Sequence, residues 1–173
     1  LMIATGGAID FSVRFHKGAE AGDKPFRHAL AAAALVSLVS MILALVAPDA
    51  IARALGADAT TMAPTRIYVA LILGFAPAFI LNNILIAFVR NDGSPNLAMG
   101  AMILSSLTNI ILDWIFMFPL GMGMFGAALA TGLSPLVSIG ILIRFGRRNR
   151  RFRWIQGPIE ASRLAHLMKL GIP

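Results

Sequence analysis

The 173-residue sequence contains no cysteine, and only 13% of its residues are charged. Without cysteine it can form neither a disulfide framework nor a thiolate metal site. A water-soluble domain of this size usually has about 25% charged residues, so the deficit indicates that much of the surface does not meet water. Hydrophobic residues make up 58% of the chain, and the mean hydropathy is positive. This composition favours a membrane protein.

Enzyme motifs are absent as well. The three histidines, His16, His28 and His166, show no metal-ligand spacing, and neither a phosphate loop nor a nucleophile–base motif occurs. The string GMGMFG at Gly121–Gly126 matches a dinucleotide fingerprint, but no acidic residue follows it at about 20 positions, as that site requires. We interpret it as a tight turn with close helix packing. The chain is therefore predicted to be no enzyme and to use no cofactor.

Long apolar stretches alternate with polar ones along the chain, and about 20 apolar residues are enough to cross a bilayer as a helix. Leu1–Phe15 is interpreted as an incomplete span, since both ends of the sequence look cut. Four further spans are predicted at His28–Ala47, Ile67–Val89, Leu97–Phe118 and Met124–Ile143. The expected fold is an all-α, polytopic membrane helix bundle with about five transmembrane helices.

The segments between the spans are predicted from their composition. His16–Arg27 contains glycines and a proline and is expected to be a polar loop. An amphipathic connector is expected through Arg53 and Asp58 to Pro64, and a turn at Arg90–Asn96. Glu160–Leu170 has the apolar spacing of a short helix lying on the membrane surface.

The positive charges predict the orientation. Thirteen of the fifteen Lys and Arg residues fall on one side of the predicted spans, and only Arg53 and Arg66 fall on the other. The positive-inside rule places the basic side in the cytoplasm, with Asp92 and Arg148, and places Asp58 outside. We expect a multi-pass protein of the inner (plasma) membrane. The arginine-rich block Arg144–Trp154 follows a span directly, which favours anionic lipid over nucleic acid as its partner.

Asn109 and Asp113 are four residues apart and share one face of the fourth span. A carboxylate inside a span costs roughly 2.5–3.5 kcal/mol on insertion scales, so it is expected to face a cavity or a partner. There it could bind a cation or exchange a proton, with the Asn109 amide as a neutral ligand. The alternative is that Asp113 lies near the outer end of its span and is simply hydrated.

Other polar and proline residues in the spans have two interpretations each. The adjacent Asn82 and Asn83 point about 100° apart. Hydrogen bonding between helices is the favoured interpretation, while one of the two could line a cavity. Pro77 and Pro135 are expected to kink their spans, either as hinges or as packing features.

The region from the third to the fifth span resembles the MATE family of multidrug and toxin extrusion transporters. The resemblance rests on the loop Arg90–Pro95 (RNDGSP), the N-x-x-x-D of Asn109 and Asp113, and the G-A-A-x-A-T of Gly126–Thr131. The early K-G-A-E-A-G-D and the final K-L-G-I-P also resemble segments of that family.

This resemblance implies a part of an N-terminal lobe in a fold of twelve helices arranged as two lobes. Residues 1–143 would supply helices two to six, and residues 144–173 a cytoplasmic basic linker toward a C-terminal lobe outside this sequence. The implied function is secondary export of cationic and aromatic drugs in exchange for H⁺ or Na⁺. The implied cation or proton site contains Asp113, Asn109 and Thr131, with Na⁺ at Asp113 as the one metal to consider.

Two alternative functions are also compatible with the sequence. A lipid-linked oligosaccharide flippase of the same superfamily would be expected to have a more cationic cavity than these spans, which are poor in Arg and Lys, provide. A membrane scaffold without transport activity would tolerate a neutral residue at Asp113. The expected partners are small drug-like molecules, membrane lipid and the second lobe, and no nucleic acid is expected.

Overall fold

Six helices make up residues 19–149, the part of the chain that the computed structural model describes. No strand occurs within that range, and the predicted all-α fold is confirmed. The helices, in chain order, are α1 (Ala19–Val46), α2 (Pro48–Ala54), α3 (Met62–Gly74), α4 (Ala76–Asn91), α5 (Pro95–Met117) and α6 (Gly123–Asn149).

Three of these helices are long and apolar enough to cross a membrane: α1 over His28–Val46, α5 over its full length and α6 over Gly123–Gly146. Helices α3 and α4 meet the same criterion together, although they are bent by 47° where they join. These four candidate spans coincide with the second to fifth predicted spans, which confirms the helical membrane bundle. The first predicted span and the surface helix at 160–170 lie outside the described residues.

Helix α1 begins nine residues before the predicted span. The polar loop expected at His16–Arg27 is wrong from Ala19 onward, because α1 starts there and continues through Pro25. Its first residues include Ala19, Glu20 and Ala21, which have high helix propensity, and a helix can extend beyond the hydrocarbon into water. At the other end, α6 passes the predicted boundary at 143 and ends at Asn149.

The segment between α1 and α3 contains the short helix α2, followed by a turn. Pro48 occupies the first turn of α2, where its missing N–H costs nothing. The α2 residue Asp49 forms an ion pair with Arg66 of α3, with 3.1 Å between Oδ1 and Nε. Both side chains are at least half exposed, so this pair contributes little to stability.

Asp58 organises the turn that leads into α3. Its Oδ1 accepts hydrogen bonds from the backbone N–H and the hydroxyl of Thr60 and of Thr61, at 2.7–2.9 Å. The backbone N–H of Asp58 in turn donates to the Thr61 hydroxyl oxygen at 3.0 Å. This reciprocal pattern supplies acceptors for N–H groups ahead of the helix that helical bonds cannot satisfy.

Helix α6 lies at the centre of the bundle and packs against α3, α4 and α5. Half of its membrane window is buried inside the protein, compared with 22% for α1 and 11% for α5. The outer helices α1 and α5 therefore expose long apolar surfaces suited to lipid or to other membrane helices. Helix α1 buries Phe26 and His28 in its first half. Beyond them its buried residues are small, which allows close approach to α3 and α4: Ala29, Ala32, Ser37 and Ala44.

The bend between α3 and α4 lies at Phe75, not at Pro77 as the sequence predicts. Pro77 occupies the first turn of α4, where its fixed φ suits a helix start and no hydrogen bond is lost. The Phe75 ring packs on α6 at Gly132, where any Cβ atom would overlap the ring. Close packing at Gly132 therefore holds the bend against the central helix.

Candidate functional site

A tight turn joins α5 to α6. Gly121 and Gly123 adopt positive φ values of 60° and 54°, which favour glycine, and the Met122 N–H donates to the Phe116 carbonyl at 2.9 Å. One turn into α6, a Cβ atom on Gly126 would lie 2.8 Å from the Phe116 Cβ. The two helices therefore run antiparallel in close contact, as the interpretation of GMGMFG predicts.

Two contacts set the register of α5 against α6. Gly126 packs on Phe116 near the turn, and the Ser105 hydroxyl donates to the Ser134 carbonyl at 2.8 Å farther along. Between these contacts, Asn109 lies at about the level of Thr131. The structure thus brings these two predicted site residues to the same depth, with Asp113 one helical turn closer to the connecting turn.

Asp113 is half-buried on the face of α5 that flanks α6, and its Oδ1 atom is buried without a hydrogen-bond partner. It is the only acidic residue within the four spans of the described part of the chain. Both interpretations of Asp113, the cation or proton site and simple hydration near the end of its span, stay predictions. A buried acceptor without a donor is costly, which makes this oxygen suited to a cation or a proton.

Asn109, one turn away on α5, is also half-buried, and its Nδ2 atom is buried without a partner. Rotation of the amide by 180° exchanges its nitrogen and oxygen, so Asn109 can present either a donor to the Asp113 carboxylate or an oxygen ligand to a cation. On α6, the Thr131 hydroxyl donates to the Ala127 carbonyl at 2.9 Å. Its oxygen lone pairs remain able to accept a hydrogen bond or to coordinate a cation.

Pro135 lies inside α6 and leaves the Thr131 carbonyl without its usual helical donor. The Ser134 hydroxyl supplies a replacement by donating to that carbonyl at 3.2 Å. Helix α6 is continuous through Pro135, and the kink that the sequence predicts there stays a prediction. Sequence reasoning missed Ser105 and Ser134, and a serine directly before a proline inside an apolar span is the signal that could have indicated the second.

The two asparagines of α4 differ from each other. Asn83 is exposed and donates from Nδ2 to the Phe79 carbonyl of its own helix at 2.8 Å, so the expected hydrogen bond between helices is wrong for this residue. Asn82 is half-buried, and its Oδ1 atom is buried without a partner. Cavity lining at these positions stays a prediction.

The site contains a single carboxylate. No group of three or more His, Cys, Asp and Glu residues suited to a metal ion occurs within residues 19–149. With one carboxylate, one amide and one hydroxyl, all of them oxygen ligands, the arrangement suits a weakly held monovalent cation or a proton better than a tightly bound transition metal.

Comparison with known proteins identifies relatives among bacterial drug exporters. The chain is 31% identical over 142 residues to the multidrug export protein MepA of Staphylococcus saprophyticus, which covers 80% of this chain and 32% of the relative. It is 33% identical over 141 residues to MepA of Staphylococcus aureus strain bovine RF122. The chain therefore spans about a third of the length of these relatives.

Solved structures show the same relationship. The chain superposes on an inward-facing MATE family multidrug resistance transporter of the MOP superfamily with a TM-score of 0.85 and 27% identity, over 98% of this chain and 40% of that one. An outward-facing structure of a transporter with the same description also gives a TM-score of 0.85, with 29% identity and coverage of 98% and 39%.

The MatE family model matches residues 20–115, which include α1 to α5 almost completely and both Asn109 and Asp113. The match extends over more than half of the sequence. Together with the helical membrane bundle and the bacterial relatives, it confirms the resemblance predicted from the loop and helix motifs. The chain belongs to the MatE family.

Proposed function

We propose that this chain forms part of a secondary multidrug efflux transporter, which exports cationic and aromatic compounds in exchange for H⁺ or Na⁺. The observation that supports this proposal best is the buried, unpartnered Oδ1 of Asp113, with the Asn109 amide one turn away on the same helix. Such a carboxylate would be stabilised by a bound cation or proton. Binding or release of that ion would then change the relative stability of the conformations of α5 and α6. In this proposal Asp113 binds the coupling ion, while Asn109 and Thr131 provide neutral ligands.

The comparisons support a transport cycle in which this part moves as a unit. The chain superposes equally well on the inward-facing and the outward-facing structure, with a TM-score of 0.85 in each case. A segment that fits both states equally favours alternating access through movement between two lobes, with little rearrangement inside the segment. The second lobe, to which the basic residues after α6 would lead, is the proposed partner.

The proposed membrane orientation follows the charge distribution. Arg90 and Arg144 lie at the end of the bundle that contains the turn between α4 and α5. The opposite end has Arg53 and Arg66, whereas seven further Lys and Arg residues follow Arg144 in the sequence. The positive-inside rule then places the first end in the cytoplasm of a cell with this protein in its inner membrane.

The test is transport by the protein expressed from its complete reading frame and reconstituted in liposomes. Efflux of a fluorescent aromatic cation such as ethidium is measured with an imposed proton gradient, with an imposed sodium gradient and with neither. Export that requires one of the two gradients identifies the coupling ion. Absence of gradient-driven transport of any aromatic cation would contradict the proposal and favour a flippase or a scaffold without transport activity.

A further inference from the structure

The membrane span formed by α3 and α4 is broken near its middle. Helix α3 ends at Gly74 and α4 begins at Ala76, with a bend of 47° between them. At 1.5 Å per residue, the break lies about 18 Å from the start of α3 at Met62 and about 24 Å from the end of α4 at Asn91. A hydrocarbon core is about 30 Å thick, so the break lies well inside it.

The break interrupts the backbone hydrogen bonds of the span. The regular pattern ends with the Phe75 N–H, which donates to the Leu71 carbonyl at 2.9 Å. It resumes with the Phe79 N–H, which donates to the Phe75 carbonyl at 3.2 Å. The end of a helix leaves its last carbonyls without the donors of a continuous helix. In α3 these carbonyls belong to Ile72, Leu73 and Gly74.

Gly74 is the exposed residue among these three. The Ala78 N–H, which a continuous helix would direct to the Gly74 carbonyl, donates to the Phe75 carbonyl at 2.9 Å. Within residues 19–149, nothing lies within 4 Å of a Cβ atom built on Gly74. Open space therefore borders a backbone carbonyl that has lost its helical donor. Glycine has no side chain, so a ligand can approach the backbone closely at this position.

The surroundings of the break follow from its depth. Irregular backbone inside the hydrocarbon is tolerated only where protein covers it or where it lines a water-filled cavity, because lipid offers no hydrogen-bond donors. An apolar membrane helix uses its own N–H groups internally and has few donors to offer to a carbonyl. Water and hydrogen-bonding ligands supply such donors, so a water-filled cavity suits the end of α3 best.

The break lies at the depth of the proposed cation site but on another side of α6. The Phe75 ring packs on Gly132, and Gly132 directly follows Thr131. Adjacent residues of a helix point about 100° apart, so Gly132 and Thr131 face different sides of α6. The end of α3 is therefore separate from the proposed site at Thr131, and the two can be occupied together.

The chemistry of the break selects its ligand. Carbonyl oxygens accept hydrogen bonds and donate none. The C-terminal end of a helix also carries a partial negative charge, and discontinuous helices of transporters coordinate cations with such ends. No Lys or Arg lies between Arg66 and Arg90 to occupy this position from the same span.

We propose that the end of α3 faces a water-filled cavity, and that its free carbonyls bind the cationic, N–H-bearing part of the transported compound. The identity of the ligand rests on the proposed function. The water-filled cavity does not, because it follows from the break and its depth alone.

The test of the cavity measures the reactivity of single cysteines. Gly74→Cys and Leu38→Cys are made in the protein expressed from its complete reading frame, with any other cysteine replaced by serine, and are reconstituted in liposomes. A thiol reacts with a hydrophilic methanethiosulfonate reagent as the thiolate, which is disfavoured in apolar surroundings, so Gly74→Cys should react about tenfold faster than Leu38→Cys. Leu38 is the matched control, because it is exposed and lies near the middle of the membrane window of the unbroken α1. The open space at Gly74 accommodates the added side chain.

The test of the ligand uses ethidium, which has a positive charge and amino groups. At about ten times its dissociation constant, ethidium should slow the reaction of Gly74→Cys about tenfold, because about nine-tenths of the sites are then occupied. Ala59→Cys, at an exposed position in the turn before α3, is the control, and its reaction should be unchanged by ethidium.

Two results would overturn the proposal. Equal rates for Gly74→Cys and Leu38→Cys would show that the end of α3 does not face water, whatever the protein transports. A reaction at position 74 that ethidium does not slow, in a protein that exports ethidium, would show that these carbonyls are not its binding site, while the proposed function would stand. Absence of ethidium binding and export would contradict the proposed function and the assigned ligand together, and the two cysteine rates would still decide whether the break faces water.

Discussion

Ser105 on α5 donates a hydrogen bond of 2.8 Å to the backbone carbonyl of Ser134 on α6, the residue that directly precedes Pro135. This bond joins the two most extensively packed helices at the depth where proline interrupts the regular hydrogen bonding of α6. The Ser134 hydroxyl meanwhile satisfies the Thr131 carbonyl. The two serines together therefore stabilise a central helix that stays continuous through a proline.

Ser105→Ala is expected to weaken the α5–α6 pair. The variant loses a buried hydrogen bond between helices, and such bonds are worth about 0.6 kcal/mol on average in membrane bundles. Thr108→Ala is the control, because the Thr108 hydroxyl bonds only to its own helix. The free energy of unfolding, measured in mixed micelles, should fall more for Ser105→Ala than for Thr108→Ala. Equal values for the two variants would show that the bond contributes nothing between the helices.

Gly132→Ala is expected to destabilise the bundle, since the added methyl group would overlap the Phe75 ring. Overpacking of this kind typically costs about 1–3 kcal/mol. Gly140→Ala on the same helix is the matched control: nothing lies within 4 Å of its added Cβ, so loss of glycine flexibility should leave stability equal or slightly higher. The measurement is the melting temperature of purified protein.

A second substitution identifies the clashing partner. Phe75→Leu in the Gly132→Ala background should recover part of the lost stability, because a smaller side chain leaves room for the methyl group. If the double variant loses as much stability as the two single variants together, the methyl group at position 132 does not clash with the Phe75 ring.

The sequence predicts the elements of this bundle well and their contacts poorly. Four spans and the tight turn at Gly121–Gly126 follow from hydropathy and from glycine positions, which are local properties of the chain. The bend at Phe75 does not, because it depends on the fit of an aromatic ring against Gly132, a residue 57 positions away. Proline content alone points to Pro77, which instead begins a helix.

The candidate site shows the same division. The i,i+4 spacing places Asn109 and Asp113 on one face, and the family motif adds Thr131. Which polar groups stay without partners is decided by packing. The Asn83 amide donates a hydrogen bond to a carbonyl of its own helix, whereas the buried Oδ1 of its neighbour Asn82 has no partner. The sequence does not distinguish the two residues.

The orientation of the bundle can be tested by labelling single cysteines, because these 173 residues contain none. Asn96 and Ala59 are exposed and lie at opposite ends of the bundle, and they replace the buried Asp92 and the turn-forming Asp58 as labelling sites. An impermeant thiol reagent added to intact cells should label Ala59→Cys and should label Asn96→Cys only after the membrane is opened. Labelling of position 96 in intact cells would reverse the predicted topology.

Asp58→Ala is expected to destabilise the turn before α3 in a manner that depends on pH. The hydrogen bond from the Thr60 hydroxyl, followed by those from Thr61 and the backbone, holds the pKa of Asp58 well below its usual 3.8. Since folding lowers this pKa, the ionised carboxylate stabilises the folded state above about pH 3.8, and that contribution is lost progressively as the pH falls below this value.

The difference in melting temperature between wild type and Asp58→Ala should therefore be full at pH 7 and should shrink below pH 4. Asp58→Asn keeps an oxygen acceptor but not the charge, so its melting temperature at pH 7 should lie between the other two. A difference that stays constant down to the lowest pH at which the protein is soluble would contradict the role of the ionised form.

The last prediction concerns Asp113 and ion coupling. Asp113→Asn keeps the size of the side chain but removes the titratable charge, so the site loses the group that would compensate a cation or take up a proton. In the protein expressed from its complete reading frame, we expect this variant to abolish or strongly reduce gradient-driven export, with expression and membrane insertion near wild type. Asn109→Ala should reduce export less, because it removes a neutral ligand. Asp49→Asn is the matched control, since Asp49 is an exposed aspartate of α2, outside the spans, and its loss should leave export unchanged. The measurement is drug efflux against an imposed proton or sodium gradient, normalised to the amount of protein in the same membranes. Unchanged gradient-driven efflux in Asp113→Asn would make this carboxylate a structural residue, and the assignment of the cation site to Asp113, Asn109 and Thr131 would have to be abandoned.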